Sequence, residues 1–446
     1  WPDDGGRYIT LPLVFTHDPS TARRNVGMYR LQVFDERTLG MHWQLHKGGS
    51  EHFRQARDEN QRIEVAIAIG TDPVLTYAAT APLPPDVDEM VFAGFLRGKS
   101  VEMVRCKTVD ILVPAHSEII IEGYVDPAES RTEGPFGDHF GHYSQAADHP
   151  VFEITRVTRR KNAIYPATVV GRPPQEDRYL GDAAQLALTP LIRLLRREIR
   201  DMWAYYEAGF HNLLVVSVDP RYAREPIKTA LGLFGEGQLS LTKTLVLVGP
   251  DVNPRNPGQV MQAIRRNFDA EEDFHLIART AADTLDFTGE AVHKGSKMIL
   301  DATAGPDGEG PSTAVALPAD ISSIAPGIGK HRLVGKTMLV VQTTGEGRVV
   351  VQKLVDNPLL GGVKMVAAVS DDVALDDNES LIWGIFTRFD AVRDVVFSRS
   401  EFRGLAPVYS GVMGIDATWK QGYQPPLVMD PEIVKKVDAK WSRYWN

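Results

Sequence analysis

A repeated pattern in the second half of the sequence restricts the possible fold more than any other feature. Each copy holds an apolar segment, then a segment with a Phe-Asp pair, then a closing Asp-Ala-Thr: 243–248, 265–269 and 298–303 in the first copy, and 363–368, 387–390 and 413–418 in the second. Strand-like and helix-like segments alternate in both copies, which is typical of an α/β layer with a mainly parallel sheet. We therefore predict two related α/β units, at 208–305 and 332–446, with a linker rich in Gly, Pro and Ser at 306–331.

The residues before this repeat have a different pattern. Short segments rich in β-branched and aromatic residues predict strands at 29–34, 62–69, 109–113, 118–125, 152–158 and 164–169. Two short helices are expected at 72–81 and 86–96. These elements predict a β-rich barrel or sandwich over 1–175, followed by a linking helix pair within 176–207 that is broken near Thr189-Pro190. The predicted fold class is a multidomain α+β protein.

Composition narrows the possible functions. A chain of 446 residues with 43% hydrophobic and 24% charged residues can bury a large core. The net charge of −9 argues against a nucleic-acid-binding surface, and no apolar run has the length needed to span a bilayer. The single cysteine, Cys106, lies in a strand-like run and is expected to be a buried thiol in a reducing compartment. We expect a cytoplasmic protein.

Two segments about a hundred residues apart carry complementary chemistry. Residues 25–30, NVGMYR, place an amide and a guanidinium at the head of an apolar strand, and residues 133–138, EGPFGD, place two carboxylates across a turn. Strand alternation puts Asn25 and Arg30 on opposite faces unless the strand bends, and a plain turn followed by a strand would look the same. If the two segments meet, Arg30 lies between Glu133 and Asp138, an arrangement that suits proton transfer beside an anionic substrate.

A third segment, residues 40–49 with the sequence GMHWQLHKGG, has two interpretations. Strand alternation would place His42, Gln44 and His46 on one face, with Lys47 and two glycine amides ready for a phosphate. A solvated face of a sheet would look the same. Glu89 likewise is either part of an acidic helix start or an oxygen ligand for a hard cation. The histidines at 139, 142 and 149 match no metal-binding spacing.

Together these segments resemble the UbiD-type decarboxylases, which use prenylated FMN to remove or add a carboxylate on aromatic and α,β-unsaturated acids. The similarity covers nearly the whole chain, in six segments in the same order: 25–30, 40–49, 92–98, 133–143, 171–174 and 295–303. The resemblance implies that 1–175 is a flavin-reductase-like split β-barrel that binds the cofactor. Members of the family carry a further α/β segment ahead of the matching residues, so we expect that this chain lacks it.

The resemblance also implies roles for individual residues. Asn25, His46 and Glu89 would bind a divalent metal, typically manganese, which together with potassium anchors the cofactor phosphate. The catalytic set would be Arg30, Glu133 and Asp138, in which aspartate replaces the glutamate of some relatives. The implied cofactor-binding residues are Met28, Tyr29, Arg30, His42, Trp43, Gln44, Lys47, Gly48 and Lys297.

The implied function is reversible non-oxidative decarboxylation of an aromatic, heteroaromatic or α,β-unsaturated acid through covalent catalysis by the cofactor. Arg30 would hold the carboxylate, and Asp138, assisted by Glu133, would supply the proton. A physiological carboxylase, or a non-catalytic flavin-binding or assembly subunit, is the alternative. A flavin prenyltransferase would supply the cofactor. We also expect a homodimer or higher homo-oligomer, because the repeat offers a second apolar surface.

Overall fold

The structure is a computed structural model that describes residues 1–44, 48–84, 87–303, 315 and 317–445. None of the helices in these residues is both long and apolar enough to cross a bilayer. The strands of the first part are β1 Arg7–Ile9, β2 Leu13–His17, β3 Arg24–Met28, β4 Leu31–Val33, β5 Thr38–Met41, β6 Ile63–Ile69, β7 Met103–Arg105, β8 Leu112–Pro114, β9 Ile119–Glu133 and β10 Ala147–Arg159. Its helices are α1 Gly48–Asp58, α2 Pro73–Thr80 and α3 Glu89–Arg97.

Eight of these strands form one antiparallel sheet among the described residues, in the order β1-β4-β5-β10-β9-β6-β2-β3. Strand β3 is at one end of this order, and β4 is next to the other end. Only Tyr29 and Arg30 separate the two strands in the chain, and a link this short spans only about 10 Å even when fully extended. The sheet therefore has to curl until its ends approach each other, and Arg30 lies where they meet.

Side-chain size on β6 explains how the curled sheet is packed on both sides. Val65, Ile67 and Ile69 belong to the apolar cluster enclosed by the curl. Ala66 and Ala68 point the other way, into a cluster that includes residues of α2 and α3. Small side chains let those helices approach the sheet closely, which explains a strand that is apolar on both faces.

Several secondary-structure predictions for the first part need correction. The helices expected at 72–81 and 86–96 are confirmed as α2 and α3. The expected strand through residues 42–46 is wrong for residues 42–44, because β5 ends at Met41 and these residues have no regular structure. The strand expected at 164–169 is also absent, because these residues form no sheet pairing. Residues 45–47, which include His46 and Lys47, lie outside the described residues.

The region between the β-rich part and the repeat is one helix, α4 Asp177–Leu195, with Pro190 inside it. The expected helix pair was wrong, because α4 continues through Pro190 to Leu195 without a break, and the residues beyond it form a strand, β11 Ile199–Ala204. This strand pairs with the next strand in the chain, Leu213–Val218, and belongs to the sheet of the first α/β unit. Ile199, Met202 and Trp203 have the spacing of a helix face, but pairing with the neighbouring strand, with an irregularity between Ile199 and Asp201, makes the segment a strand.

Two further sheets follow. The first contains β11, β12 Leu213–Val218, β13 Thr244–Val248, β14 Phe274–Ala281 and β15 Lys294–Ala302, with α5 Glu225–Leu233, α6 Pro257–Asn267 and α7 Ala270–Asp273. The second contains β16 Ile328–Val334, β17 Met338–Thr343, β18 Met365–Val369, β19 Val395–Arg403 and β20 Ala406–Ala417, with α8 Gly347–Val355, α9 Asn378–Phe386, α10 Ala391–Asp394 and α11 Pro431–Asp438.

The two sheets share one topology, as the repeat predicts. Their strand orders are β11-β12-β13-β15-β14 and β16-β17-β18-β20-β19. In each, the central pairings are parallel and the outer pairings are antiparallel. The expectation of a mainly parallel sheet therefore holds only for the three central strands of each unit.

The two repeats pack against each other with reciprocal contacts. Lys243 Nζ donates to Phe389 O at 2.8 Å, and its counterpart in the second copy, Lys364, donates through Nζ to Phe268 O at 2.7 Å. One buried apolar cluster contains residues of both sheets, including Val246 and Val340. The second apolar surface expected to drive homo-oligomerisation is therefore buried within the chain, and that reason for expecting an oligomer no longer holds.

Candidate active site

Arg30 lies between Glu133 and Asp138, as the two sequence segments suggested. Its Nε donates to Glu133 Oε1 at 2.8 Å, its Nη2 to Glu133 Oε2 at 3.1 Å, and its Nη1 to Asp138 Oδ2 at 2.5 Å. The side chain of Glu133 is fully buried and that of Arg30 is 8% exposed. A planar guanidinium presents donors in fixed directions, so this contact fixes both carboxylates relative to each other.

Two neighbouring side chains hold the guanidinium in place. Ser144 Oγ accepts from Arg30 Nη2 at 3.0 Å and from the backbone N of Phe136 at 3.2 Å. The ring of Phe136 lies against the guanidinium, with Arg30 Cζ 4.5 Å from its centroid. An aromatic face attracts a cation, and here it also blocks one side of the group from solvent.

The charge of Arg30 affects the acids on both sides. Burial alone would raise the pKa of Glu133, but hydrogen bonds from His42 and Arg30 outweigh burial and lower it to about 2. Burial likewise opposes ionisation of Asp138, yet hydrogen bonding from His139 and the charge of Arg30 hold its pKa well below the usual range. Both acids are therefore carboxylates at neutral pH in this arrangement.

A charged histidine adjoins Asp138 on the side away from Arg30. His139 Nδ1 lies 3.0 Å from Asp138 Oδ1, and the backbone N of His139 donates to the same oxygen at 2.8 Å. Burial favours the neutral imidazole, but the Asp138 carboxylate and the charges of Asp177 and Asp283 outweigh it and raise the pKa of His139 to about 9. Asp138 is therefore enclosed by two cations.

Glu133 adjoins two histidines that, unlike His139, are favoured in the neutral form. His42 Nδ1 is 3.1 Å and His149 Nε2 is 3.8 Å from Glu133 Oε2. Burial lowers the pKa of both imidazoles, that of His149 to about 4. The three donor atoms lie within 4.8 Å of one another, as metal ligands would. Arg30 already occupies both oxygens of Glu133, however, and its charge opposes a second cation there.

A cavity of about 920 Å³ adjoins this set. Its volume is within the range of small-molecule and cofactor sites. Most of the described residues predicted from the sequence line it, namely Asn25, Met28, Tyr29, Arg30, His42, Gln44, Gly48, Glu89 and Asp138. The bend at the end of β3 thus brings Asn25 and Arg30 to one cavity, which simple strand alternation would not do.

Three predicted residues lie elsewhere. Glu133 is behind Arg30 and does not line the cavity. Trp43 is 7% exposed and packs against Phe53 in the core of the curled sheet. Lys297 is buried inside the first α/β unit, where its Nζ donates to Thr242 O at 2.8 Å. Nothing in this geometry brings Trp43 or Lys297 into contact with a ligand in the cavity.

The N-terminus of α1 forms one wall of the cavity and has the features of an anion site. The helix begins at Gly48, and a Cβ at this position would lie 2.2 Å from Asn25 Oδ1. Tyr29 Oη accepts from the backbone N of Gly49 at 3.3 Å and fixes the start of the helix from below. A helix N-terminus attracts phosphate, and Gly48 lets Asn25 approach it closely, so these residues fit the phosphate of a flavin nucleotide.

Asn25 and Glu89 present oxygen atoms on the same wall. Asp88 caps α3 by accepting from the backbone N of Met90 and Val91, which explains the acidic helix start. Glu89 instead points back to β3, where its Oε2 accepts from Val26 N at 3.1 Å. Burial raises the pKa of Glu89 to about 7, and Asn25 Nδ2 is buried without a hydrogen-bond partner in the described part of the chain. The carboxylate of Glu89 and the amide oxygen of Asn25 are the ligand types that a hard divalent cation prefers.

Sequence reasoning missed the contacts of His42, His139 and His149, although it noted their positions. The pairing of β9 with β10 places Ala147 opposite Glu133 and His149 opposite Arg131, two residues away along the strand. Histidine spacing along the chain cannot reveal such a cluster, because its members come from different parts of the fold: His42 follows β5, His139 lies between β9 and β10, and His149 is on β10. For His149, the register of β9 with β10 would have been the signal.

Two protein-family domains match the chain. They are the 3-octaprenyl-4-hydroxybenzoate carboxy-lyase Rift-related domain, over residues 1–173, and the C-terminal domain of the same enzyme, over 178–302 and 321–417. An uncharacterized protein of Archaeoglobus fulgidus is 48% identical over 304 residues, which are 68% of this chain and 63% of that protein. A Chlamydia pneumoniae protein, named as one of the subunits of 4-hydroxybenzoate decarboxylase, is 37% identical over 100% of this chain and 75% of its own length.

Two solved structures resemble the fold. The vanillic acid decarboxylase of Sedimentibacter hydroxybenzoicus in closed form is 29% identical, with a TM-score of 0.66, over 72% of this chain and 69% of that chain. The UbiD-class enzyme HmfF of Pelotomaculum thermopropionicum, in complex with FMN, is 28% identical, with a TM-score of 0.63, over 71% of this chain and 70% of that chain.

Proposed function

The chain belongs to the UbiD family of carboxy-lyases, and on that premise we propose that it catalyses reversible non-oxidative decarboxylation of an aromatic, heteroaromatic or α,β-unsaturated carboxylic acid. The observation that carries the proposal is the Arg30 guanidinium between Glu133 and Asp138 at the wall of a cofactor-sized cavity. An aromatic acid is the favoured substrate class, because the decarboxylase from Sedimentibacter takes its name from one.

Prenylated FMN is the proposed cofactor. A UbiD-class enzyme of similar fold has been solved with FMN and, in an evolved form, with prenylated FMN. Gly48, Tyr29 and Asn25 would hold its phosphate end, and Met28, His42 and Gln44 line the same cavity. When bound, the prenylated flavin supplies an electron sink for the pair of electrons left on the substrate carbon after carbon dioxide leaves.

Asn25 and Glu89 are proposed to bind a divalent metal, with manganese as the expected ion, and potassium is proposed at the same phosphate. His46 is the proposed third protein ligand, from the resemblance alone. Carboxylate and amide oxygens are the ligands that hard cations prefer. A bound cation would remove the cost of burying the charged form of Glu89.

Arg30 is proposed to orient the substrate carboxylate. Its contacts with described residues use four of the five N–H donors of the guanidinium, and one N–H on Nη1 remains. An anion in the cavity can accept from that group without displacing Glu133. Asp138 lines the cavity beside it and is the proposed proton donor to the carbon.

Further assignments complete the proposal. The curled sheet over 1–175 is proposed to be a flavin-reductase-like split barrel. A link (176–207), a first α/β unit (208–305), a linker (306–331) and a second α/β unit (332–446) are proposed to follow, with two bounds shifted: Ile199–Ala204 belongs to the first α/β sheet, and Ile328–Val334 belongs to the second. A flavin prenyltransferase is the proposed supplier of the cofactor. An evolved dimeric form of one related enzyme has been solved, so we propose a homodimer as the first oligomeric state to test.

The proposal is tested with protein co-expressed with a flavin prenyltransferase. The absorbance and mass of the extracted cofactor should identify prenylated FMN, and an acid panel should yield carbon dioxide. A physiological carboxylase would use the same residues, so exchange of labelled bicarbonate into a substrate acid should accompany turnover. A protein that retains the cofactor but exchanges no label with any acid would instead be a flavin-binding or assembly subunit.

A further inference from the structure

Asp138 is poorly suited to store the proton that the proposed reaction consumes. Its Oδ2 accepts from Arg30 Nη1 at 2.5 Å, and its Oδ1 accepts from the backbone N of His139 and lies 3.0 Å from His139 Nδ1. A carboxylate with several charged or backbone donors is stabilised in its ionised form. An acid that must donate in every turnover needs a partner that holds the proton between turnovers.

We propose that His139 is this partner: its imidazolium holds the proton, Asp138 passes the proton on to the substrate carbon, and the pair rather than Asp138 alone acts as the acid. This inference rests on the proposed decarboxylation. His139 acts through Asp138 and is therefore a positioning residue, whereas Asp138 would contact the reacting carbon.

Three carboxylates around His139 favour its charged form. Asp138 adjoins its Nδ1, Asp177 faces it from the start of α4, and Asp283 faces it from the first α/β unit. Asp283 is shared with His211, whose Nδ1 it contacts. The ring of His139 is stacked on Phe140, with centroids 5.2 Å apart. The three acids together outweigh burial, and the pKa of His139 rises to about 9.

His139 also has access to solvent, which Glu133 lacks. The His139 side chain is 23% exposed and lines the cavity, whereas Glu133 is fully buried. A proton taken from His139 can therefore be replaced from water. The imidazoles beside Glu133 cannot serve in the same way, because burial lowers the pKa of His42 and His149 and keeps them neutral.

The proton transfer balances without any further reactant. Loss of carbon dioxide breaks the bond between the substrate carbon and its carboxylate, and the electron pair of that bond stays with the substrate carbon. The proton moves from His139 Nδ1 to the Asp138 carboxylate and from there to that carbon, where a C–H bond forms. His139 is left neutral and regains a proton from solvent, and the net reaction consumes one proton for each carbon dioxide released.

The test compares His139→Asn with the wild-type holoenzyme. Asparagine can place an amide donor near Asp138 but carries no proton that can be transferred. Wild-type kcat should hold up to about pH 9 and then fall as His139 loses its proton. His139→Asn should lower kcat by about 100-fold or more, with KM little changed, and should lose this alkaline fall. His139→Gln is the second variant if His139→Asn does not retain cofactor.

His116→Asn is the matched control, because His116 is 72% exposed and pairs with Glu102 outside the cavity. The His139 imidazole is also titrated by NMR in wild-type protein, with its signal assigned from the variant. The inference would be overturned if His139→Asn had the same kcat and the same alkaline fall as the wild type. Titration of His139 at or below about pH 6.5 in the wild type would also overturn it. Absence of turnover in the wild-type holoenzyme would instead overturn the proposed function.

Discussion

Arg30 and Asp138 are 108 positions apart in the sequence, and Arg30 Nη1 donates to Asp138 Oδ2 at 2.5 Å. The contact joins the seam between β3 and β4, where Arg30 lies, to the segment that connects the two central strands β9 and β10. The same guanidinium also binds Glu133. The position of Asp138, which faces the cavity, therefore depends on Glu133, which does not. This arrangement leads to predictions about each acid separately.

Asp138→Asn should abolish decarboxylation while the cofactor stays bound. The amide keeps the size of the side chain but cannot pass a proton, so we expect a loss of about 100-fold to 10,000-fold in kcat. Carbon dioxide release and the flavin spectrum of the purified protein are the measurements. Asp148→Asn, at an exposed position of β10, is the control. Normal turnover by Asp138→Asn would remove Asp138 from the mechanism.

Glu133→Gln should also abolish turnover, for a different reason. Glutamine cannot accept hydrogen bonds from Arg30 at both ends of its side-chain amide, so the guanidinium loses the anchor that fixes its direction. We expect kcat to fall at least about 100-fold with the cofactor retained. Glu129→Gln is the control, since Glu129 lies on the same strand and is exposed. Wild-type turnover by Glu133→Gln would contradict the role assigned to this residue.

Stability should depend on pH through Glu133. Its pKa in the folded protein, about 2, is below the usual value of 4.5, so the stabilisation is present above about pH 4.5 and is lost as the pH falls towards 2. The wild type should exceed Glu133→Gln in free energy of unfolding by roughly 3 kcal/mol at pH 6, and the difference should narrow by pH 3. Urea unfolding followed by tryptophan fluorescence measures both. A difference that stays constant between these pH values would contradict this account.

Gly48→Ala should impair cofactor binding without unfolding the protein. The new Cβ would lie 2.2 Å from Asn25 Oδ1, so Asn25 has to leave the wall that it shares with Glu89. Flavin content after co-expression with the prenyltransferase should fall several-fold, with an unchanged far-ultraviolet circular dichroism spectrum. Gly249→Ala is the control, because a Cβ there meets no atom within 4 Å. Full flavin content in Gly48→Ala would show that this close approach is not needed.

Cys106 should be unreactive in the folded protein. The thiol is buried, and burial, aided by the charge of Glu122, raises its pKa to about 12. Only the thiolate attacks disulfide reagents, so labelling at pH 8 should be slow until denaturant is added. The rate of reaction with a chromogenic disulfide, with and without guanidinium chloride, measures this. Fast stoichiometric labelling of native protein would contradict the predicted burial.

Local patterns predicted much of the chain correctly. The acidic residue and proline at 72–73 start a helix that the structure begins at Pro73, and Asp88 caps the next helix. The repeat predicted two sheets of one topology. These features depend on neighbours in sequence or on self-similarity, which a single sequence displays. Residues 199–204 were mistaken for helix because their pairing with β12, a contact outside the segment itself, makes them a strand.

The two carboxylates, the guanidinium between them and the family could be predicted from the sequence, because they depend only on residue types and their order along the chain. The sequence alone left open whether Asn25 and Arg30 reach one cavity, and it gave His139, His42 and His149 no contacts with the acids. Those answers depend on the two-residue seam at Tyr29 and Arg30 and on the register of β9 with β10. Tertiary structure decided both answers, because contacts between residues distant in sequence exist only once the chain is folded. The charge state of each histidine then follows from its burial and from the acids that approach it.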